Sequence, residues 1–312
     1  MKTDHRISSA VVIVLWLIWM PTVASPIANE AIRGNPPRAS TPTYIFHRGG
    51  LSEGRIPYES ALISLIIERS TPKYGPAKID FLDRPMTAFR ARNELQTGKI
   101  VHFQTGALIN KTIDEATVFV IRKPILKSLL GYRQVIVRRE RLPEFRTVKN
   151  WNQLYKLSGG QAAHWPDVKV LEANNLKVVK GDNYQSLFPM LHHRRFDYLP
   201  LGTGEVHESL AAQKELVDEL AVVETFILYY PWPIYFLVSK TQPVLAERLT
   251  YAMDLIIQNG EFDALFKLHF SDTIERISSA EMTTFVLTNP DIAADDPLVS
   301  PILSGQSHIA LP

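Results

Sequence analysis

The 312-residue sequence predicts an α/β fold built in two successive blocks, on three observations. Strand-like runs alternate with amphipathic helical runs along most of the chain, a pattern that points to helices layered on sheets. The alternation restarts at Arg133, dividing it into blocks at roughly 43–130 and 133–226. The helical runs after Val238 have no strands of their own, which predicts that they dock back on the first block.

Element by element, 44–46 reads as a short strand leading into a polar loop at 47–55. Tyr58, Ala61, Leu62, Leu65 and Ile66 follow i, i+3, i+4, i+7, i+8, one face of an amphipathic helix that Pro72 and Gly75 stop. A strand at 79–82 precedes a helix capped by Asp83, with Pro85 in its first turn and Gly98 at its C-cap. Strands follow at 100–103 and 117–121.

In the second block, 134–138 is a strand, Asn150 caps a helix to Leu157, 159–162 is a turn, and Pro166 opens a helix to about Asn174. A strand at 176–179 precedes a helix begun by Asp182 or Asn183 and bent by Pro189. A strand at 196–200, a helix at 205–216 and a strand at 220–227 complete the block. The chain then has a strong strand at 234–238 and a long helix marked by Leu245, Leu249, Ala252 and Ile256 that ends at Gly260. A short helix around Phe262 to His269 and an apolar stretch at 285–287 come last.

The first 25 residues read as a secretory signal. Lys2 and Arg6, partly offset by Asp4, precede an unbroken apolar run of eleven residues at 10–20; Pro21 ends it, and small residues lead to cleavage near Ala24. The run is shorter than the roughly 20 residues a membrane helix needs. The expected location is therefore periplasmic. With no cysteine in the chain, disulfides and cysteine-linked lipid are both excluded. The formal net charge of +2, from 34 basic and 32 acidic residues, argues against a nucleic-acid binder.

Several segments, in order, resemble the type II periplasmic solute-binding proteins, the family-3 group that includes polar amino-acid binders, and within it a divergent branch of transporter substrate-binding domain proteins. They are Tyr58-Glu59-Ser60-Ala61-Leu62 followed by Tyr74-Gly75; Arg92, Leu95 and Gly98; Arg122-Lys123-Pro124-Ile125 and Leu130-Gly131-Tyr132-Arg133; Trp165-Pro166-Asp167; Met190-Leu191 with Arg195-Phe196-Asp197-Tyr198 and Gly204-Glu205; Tyr230-Pro231; and Leu287-Thr288-Asn289-Pro290. The resemblance implies two lobes joined by two crossings. Signal peptide 1–25 and a flexible lead-in 26–42 would precede lobe one, formed from 43–130 and 227–292; 131–226 would form lobe two and 293–312 a tail. It also implies ligand capture between the lobes without a chemical step, a monomer, no cofactor and no metal, and delivery to an inner-membrane ABC-type permease. A sensor docking on a membrane receptor and a dehydratase-like enzyme are the alternatives.

Five residues are the candidate ligand contacts. Asp197, placed where a strand hands over to a loop, matches a family aspartate that pairs with a ligand ammonium. Glu205 starts a helix, where a carboxylate also suits the macrodipole. Arg133 ends the first crossing and has the fork to hold an anion bidentately, or to form a hinge salt bridge. Trp165 follows a glycine turn and offers a stacking face or packing within lobe two. Lys111 stands in the 105–117 stretch where the amino-acid binders carry an arginine for the ligand carboxylate; no arginine occurs there. An acid/base pair for an enzyme would have to be Asp197 with Glu205. His164 and Asp167 have helical spacing but no third metal ligand.

Overall fold

The computed structural model describes residues 40–49, 51–52, 54–108, 113–278, 282–293 and 307–309. The expected signal segment, Lys111 and most of the lead-in and tail lie outside the described residues. The first block runs β1 (Thr43–His47), α1 (Arg55–Tyr74), β2 (Lys78–Leu82), α2 (Ala88–Thr97), β3 (Phe103–Gly106) and β4 (Val118–Ile121). Period-two alternation turns Tyr44 and Phe46 inward from β1. Helical spacing turns Tyr58, Leu62 and Ile66 inward from α1. Pro72 does not stop α1 but sits in its last turn; Gly75, at φ 74°, ends it. Asp83 does not cap α2. It is held by Arg48, and the Thr87 hydroxyl accepts the Arg90 N–H instead.

The second block runs β5 (Tyr132–Arg138), α3 (Leu142–Phe145), α4 (Trp151–Leu154), β6 (Ser158–Ala162), α5 (Asp167–Ala173), β7 (Lys177–Gly181), α6 (Tyr184–His192), β8 (Tyr198–Gly202), α7 (Val206–Ala211), β9 (Leu220–Val222) and β10 (Phe226–Tyr229). The chain closes with β11 (Tyr235–Ser239), α8 (Pro243–Gln258), α9 (Glu261–Ile277), β12 (Thr283–Val286) and β13 (Ser307–Ile309).

The glycine pair read as a turn at 159–162 is a strand. β6 lies between β7 and β8, and aromatic rings from the β8 region press on its backbone. A Cβ on Gly160 would stand 2.2 Å from the Phe196 ring, and one on Gly159 2.9 Å from the Tyr198 ring. The glycines make room for large neighbours rather than reversing the chain.

The first sheet has the order β2-β1-β3-β11-β4 and the second contains β7-β6-β8-β5-β10. Both follow one scheme: three parallel strands in the order second, first, third, then one strand inserted antiparallel, then one more. The chain crosses between the sheets from β4 to β5 and from β10 to β11. It passes over again after α9, because β12 pairs in parallel with β10 and β13 with β12. The segments 226–229 and 283–286 therefore belong to the second sheet, where 227–292 was expected with the first. The physical reason is that Phe285 packs against Trp151 and Phe226, beneath the second sheet. As expected, α8 docks on the first block, packing on α1, β4 and β11, and α9 packs on α1 and α8.

No helix among the described residues is long and apolar enough to cross a membrane.

Candidate functional site

In open α/β sheets a ligand site forms beyond the carboxyl ends of the parallel strands, where the strand order reverses. The C-terminal end of β8 runs into Gly202-Thr203-Gly204-Glu205, and this turn lines a cavity of about 320 Å³ with Arg133 from β5. The opposite wall is the start of α1, with Ser52, Gly54 and Arg55, and the α9 residues His269, Phe270 and Thr273; the first crossing adds Leu126, Leu129 and Leu130. The cavity thus lies between elements packed on the first sheet and the end of the second.

On the second-sheet side, Arg133 is the centre of a buried cluster. Its Nη2 lies 2.9 Å from Asp167 Oδ1, and its Nε donates to Tyr230 Oη at 2.8 Å. Tyr230 Oη in turn donates to Asp167. The guanidinium carbon sits 5.3 Å from the Tyr230 ring centre and 5.4 Å from that of Trp232, so both aromatics of the return crossing embrace the cation. Burial opposes the Arg133 charge, but the Asp167 carboxylate and the Tyr230 oxygen outweigh it and hold its pKa above the ordinary value. Burial, with further help from Asp167, holds the Tyr230 hydroxyl well above its usual range, although Arg133 pulls the other way. Glycine at 202 keeps this corner close: a Cβ there would stand 3.0 Å from Glu205 Oε1 and 3.1 Å from Arg133 Nη1. The carboxylate of Glu205 accepts the Gly202 N–H at 3.1 Å.

On the first-sheet side, Arg55 donates from Nε and Nη2 to Glu59 Oε1 at 2.9 and 2.6 Å. Glu59 is fully buried and its second oxygen accepts the Thr105 hydroxyl at 2.7 Å. Tyr58 lies beneath, its ring edge-on to His269 and Phe270 and its hydroxyl donating to the Ile125 carbonyl at 2.5 Å. An i, i+4 Arg–Glu pair at a helix start is ordinarily a surface pair. Here Arg55 lines the cavity and Glu59 is buried behind it, a fact that the sequence spacing does not contain.

Of the expected contacts, the structure brings Arg133 and Glu205 together. Trp165 does not line this cavity; it packs beside Tyr184, 6.1 Å between ring centres, in the core formed by α6 and β8. Lys111 lies outside the described residues. Asp197 precedes β8 rather than following it, so about 16 Å of strand separates it from the Glu205 turn. It accepts the Ser158 N–H at 2.7 Å and the Ser158 hydroxyl at 2.9 Å, and pairs with Arg141. Burial pushes the Asp197 pKa up, but those hydrogen bonds and the arginine prevail and hold it below the usual carboxylate value. The two carboxylates that an acid/base reading would pair therefore stand at opposite ends of one strand. Sequence reasoning left Arg55, Glu59, Thr105 and Asp167 out of the candidate contacts; Asp167, in the first turn of α5, is the partner of Arg133. Among the described residues no three His, Cys, Asp or Glu side chains converge as metal ligands.

Asp197→Ala serves as a control for this assignment. It is expected to cost about 1–3 kcal/mol in urea unfolding, by leaving the Ser158 N–H and hydroxyl without their acceptor, and to leave the affinity of any cavity ligand unchanged. A matching loss of affinity would return Asp197 to the site.

The repeated strand order, with one antiparallel strand inserted beside the third parallel strand of each sheet, now stands beside the cavity at the strand ends. The architecture is the two-lobed type II binding-protein fold. No protein-family model matches the chain. No curated protein matches it either. Among solved structures, an ancestral arginine-binding protein bound to arginine is 18% identical, covering 74% of this chain and 98% of its own, with a TM-score of 0.46. A Salmonella typhimurium periplasmic binding protein with high arginine specificity is 12% identical over 73% of this chain and 99% of that one, with a TM-score of 0.46. A Streptococcus mutans structure, described in the context of glutathione import via GshT and the cystine ABC importer TcyBC, is 11% identical over 74% of this chain and 95% of that one, with a TM-score of 0.48. Likenesses of this degree assign no ligand.

Proposed function

We propose that this protein is a periplasmic solute-binding protein that captures a small polar ligand in the Arg133–Glu205 cavity and delivers it to an ABC-type permease. The observation that carries the reading is the cavity itself. It lies at the carboxyl end of a parallel strand, opposite elements of the other sheet, and its walls combine charged groups with leucines and a phenylalanine. Its polar groups are already held in place by Asp167, Tyr230, Glu59 and Thr105, so a ligand would meet a largely pre-formed surface. In this reading the first-sheet and second-sheet elements act as the two lobes, and the crossings at 122–131 and 230–234 act as the hinge. Export through the 1–25 signal and a monomeric state belong to the same proposal.

The test is thermal unfolding of the purified mature chain against amino acids, amines, small peptides, sugars and organic acids. A ligand at a hundred times its Kd adds about 2.7 kcal/mol of stability, which for a chain of this size is a rise in Tm of about 5 °C. Gly204 lines the cavity, and a Cβ added there meets nothing within 4 Å. Gly204→Phe should therefore fold normally and abolish the stabilisation. No shift with any class would sink the proposal, and a shift that survives Gly204→Phe would place the ligand elsewhere.

A further inference from the structure

We infer that the ligand of this cavity is a small organic cation with an apolar body and no carboxylate group; the inference rests on the binding reading above. Among the described residues, each arginine that reaches the cavity is already committed to a carboxylate of this chain. Arg55 is held by Glu59, which is fully buried and is anchored a second time by Thr105. Arg133 is held by Asp167, itself buried and anchored by Tyr230. A ligand carboxylate would have to displace one of these internal anions. The displaced anion would remain buried behind its arginine without a counter-charge, a penalty large enough to weaken binding a hundredfold or more.

The remaining charge has the opposite sign. Glu205 stands on the cavity wall, its carboxylate accepting the Gly202 backbone N–H. It also acts on Arg133, whose guanidinium already has the Asp167 carboxylate in contact. Among the described residues, two guanidinium groups meet three carboxylates at this site. The surplus charge is negative and sits on the one carboxylate of the three that is exposed. A ligand ammonium or guanidinium supplies the missing positive charge without breaking a pair. Leu126, Leu129, Leu130 and Phe270 give it an apolar surface to lie against. At about 320 Å³ the space is at the small end of ligand sites, which run from roughly 300 to 1,000 Å³.

The experiment uses the purified mature chain and matched pairs, each an α-amino acid and the amine that differs from it by loss of the carboxylate: arginine and agmatine, leucine and isoamylamine, phenylalanine and phenethylamine. Affinity is read by calorimetry and by Tm at millimolar ligand. At least one amine is expected to bind tenfold or more tighter than its amino acid. Glu205→Gln should weaken that amine by about 10- to 100-fold, the loss of a charge-assisted hydrogen bond, while leaving the Tm of the free protein unchanged. An amino acid binding as tightly as its amine, an uncharged sugar binding where no amine does, or an amine indifferent to Glu205→Gln would each overturn the inference and leave the binding reading standing. Silence from every class overturns both.

Discussion

Asp167→Ala is expected to lower the unfolding free energy by about 3–5 kcal/mol, because it leaves the buried Arg133 guanidinium without its contact carboxylate. Tyr230 loses its acceptor in the same step. Urea denaturation measures the loss. The effect belongs to a stranded charge rather than to a valuable pair, so a double variant separates the two. Replacing a buried ion pair by apolar residues is often neutral or stabilising, and Arg133→Met combined with Asp167→Leu should recover most of the loss. If the double variant is no better than Asp167→Ala, the cluster is holding the return crossing in place through Tyr230 and Trp232 rather than neutralising a charge.

Gly131→Ala is expected to cost about 3 kcal/mol, the upper part of the usual overpacking range. A Cβ at Gly131 would stand 2.1 Å from the Tyr230 carbonyl oxygen. That contact is backbone against backbone, so no rotamer change relieves it. Gly131 belongs to the first crossing and Tyr230 to the second, and the Tyr230 N–H donates to the Gly131 carbonyl at 3.2 Å. The alanine methyl would force the two crossings apart at the point where they touch. The ligand-induced rise in Tm should fall along with the stability, since Arg133 follows Gly131 by two residues. A Tm within a degree of the parent protein would show that the crossings yield freely there.

Much of the fold is legible along the chain because local rules decide it. The face of α1 carried by Tyr58, Leu62 and Ile66, the Gly98 C-cap at φ 62° and the Asn150 cap of α4 all follow from spacing and residue type. Where a longer-range partner competes, the local rule fails. Asp83 has the chemistry of an N-cap, but Arg48, thirty-five residues earlier, takes it. Gly159 and Gly160 have the chemistry of a turn, but Phe196 and Tyr198 need the space above a strand.

The candidate site shows the same division. Arg133 and Glu205 could be named because their residue types and positions beside strand ends suffice. Asp197 is a candidate through the family match alone; it lies at the N-terminal end of β8, which runs Tyr198–Gly202 rather than 196–200, while the cavity opens beyond the other end. Strand boundaries depend on what pairs alongside, here β5 and β6, and composition does not report that.

The sequence by itself determined the alternating α/β pattern, its restart at Arg133, the return of the last helices to the first block, and two of the groups on the cavity wall. Only the tertiary structure decided which charges meet. Glu59 precedes Thr105 by forty-six residues and Arg133 precedes Tyr230 by ninety-seven. Whether an arginine is free to hold a ligand or is already committed depends on partners at those separations. That is a property of how the strands are ordered, and no local pattern of residues contains it.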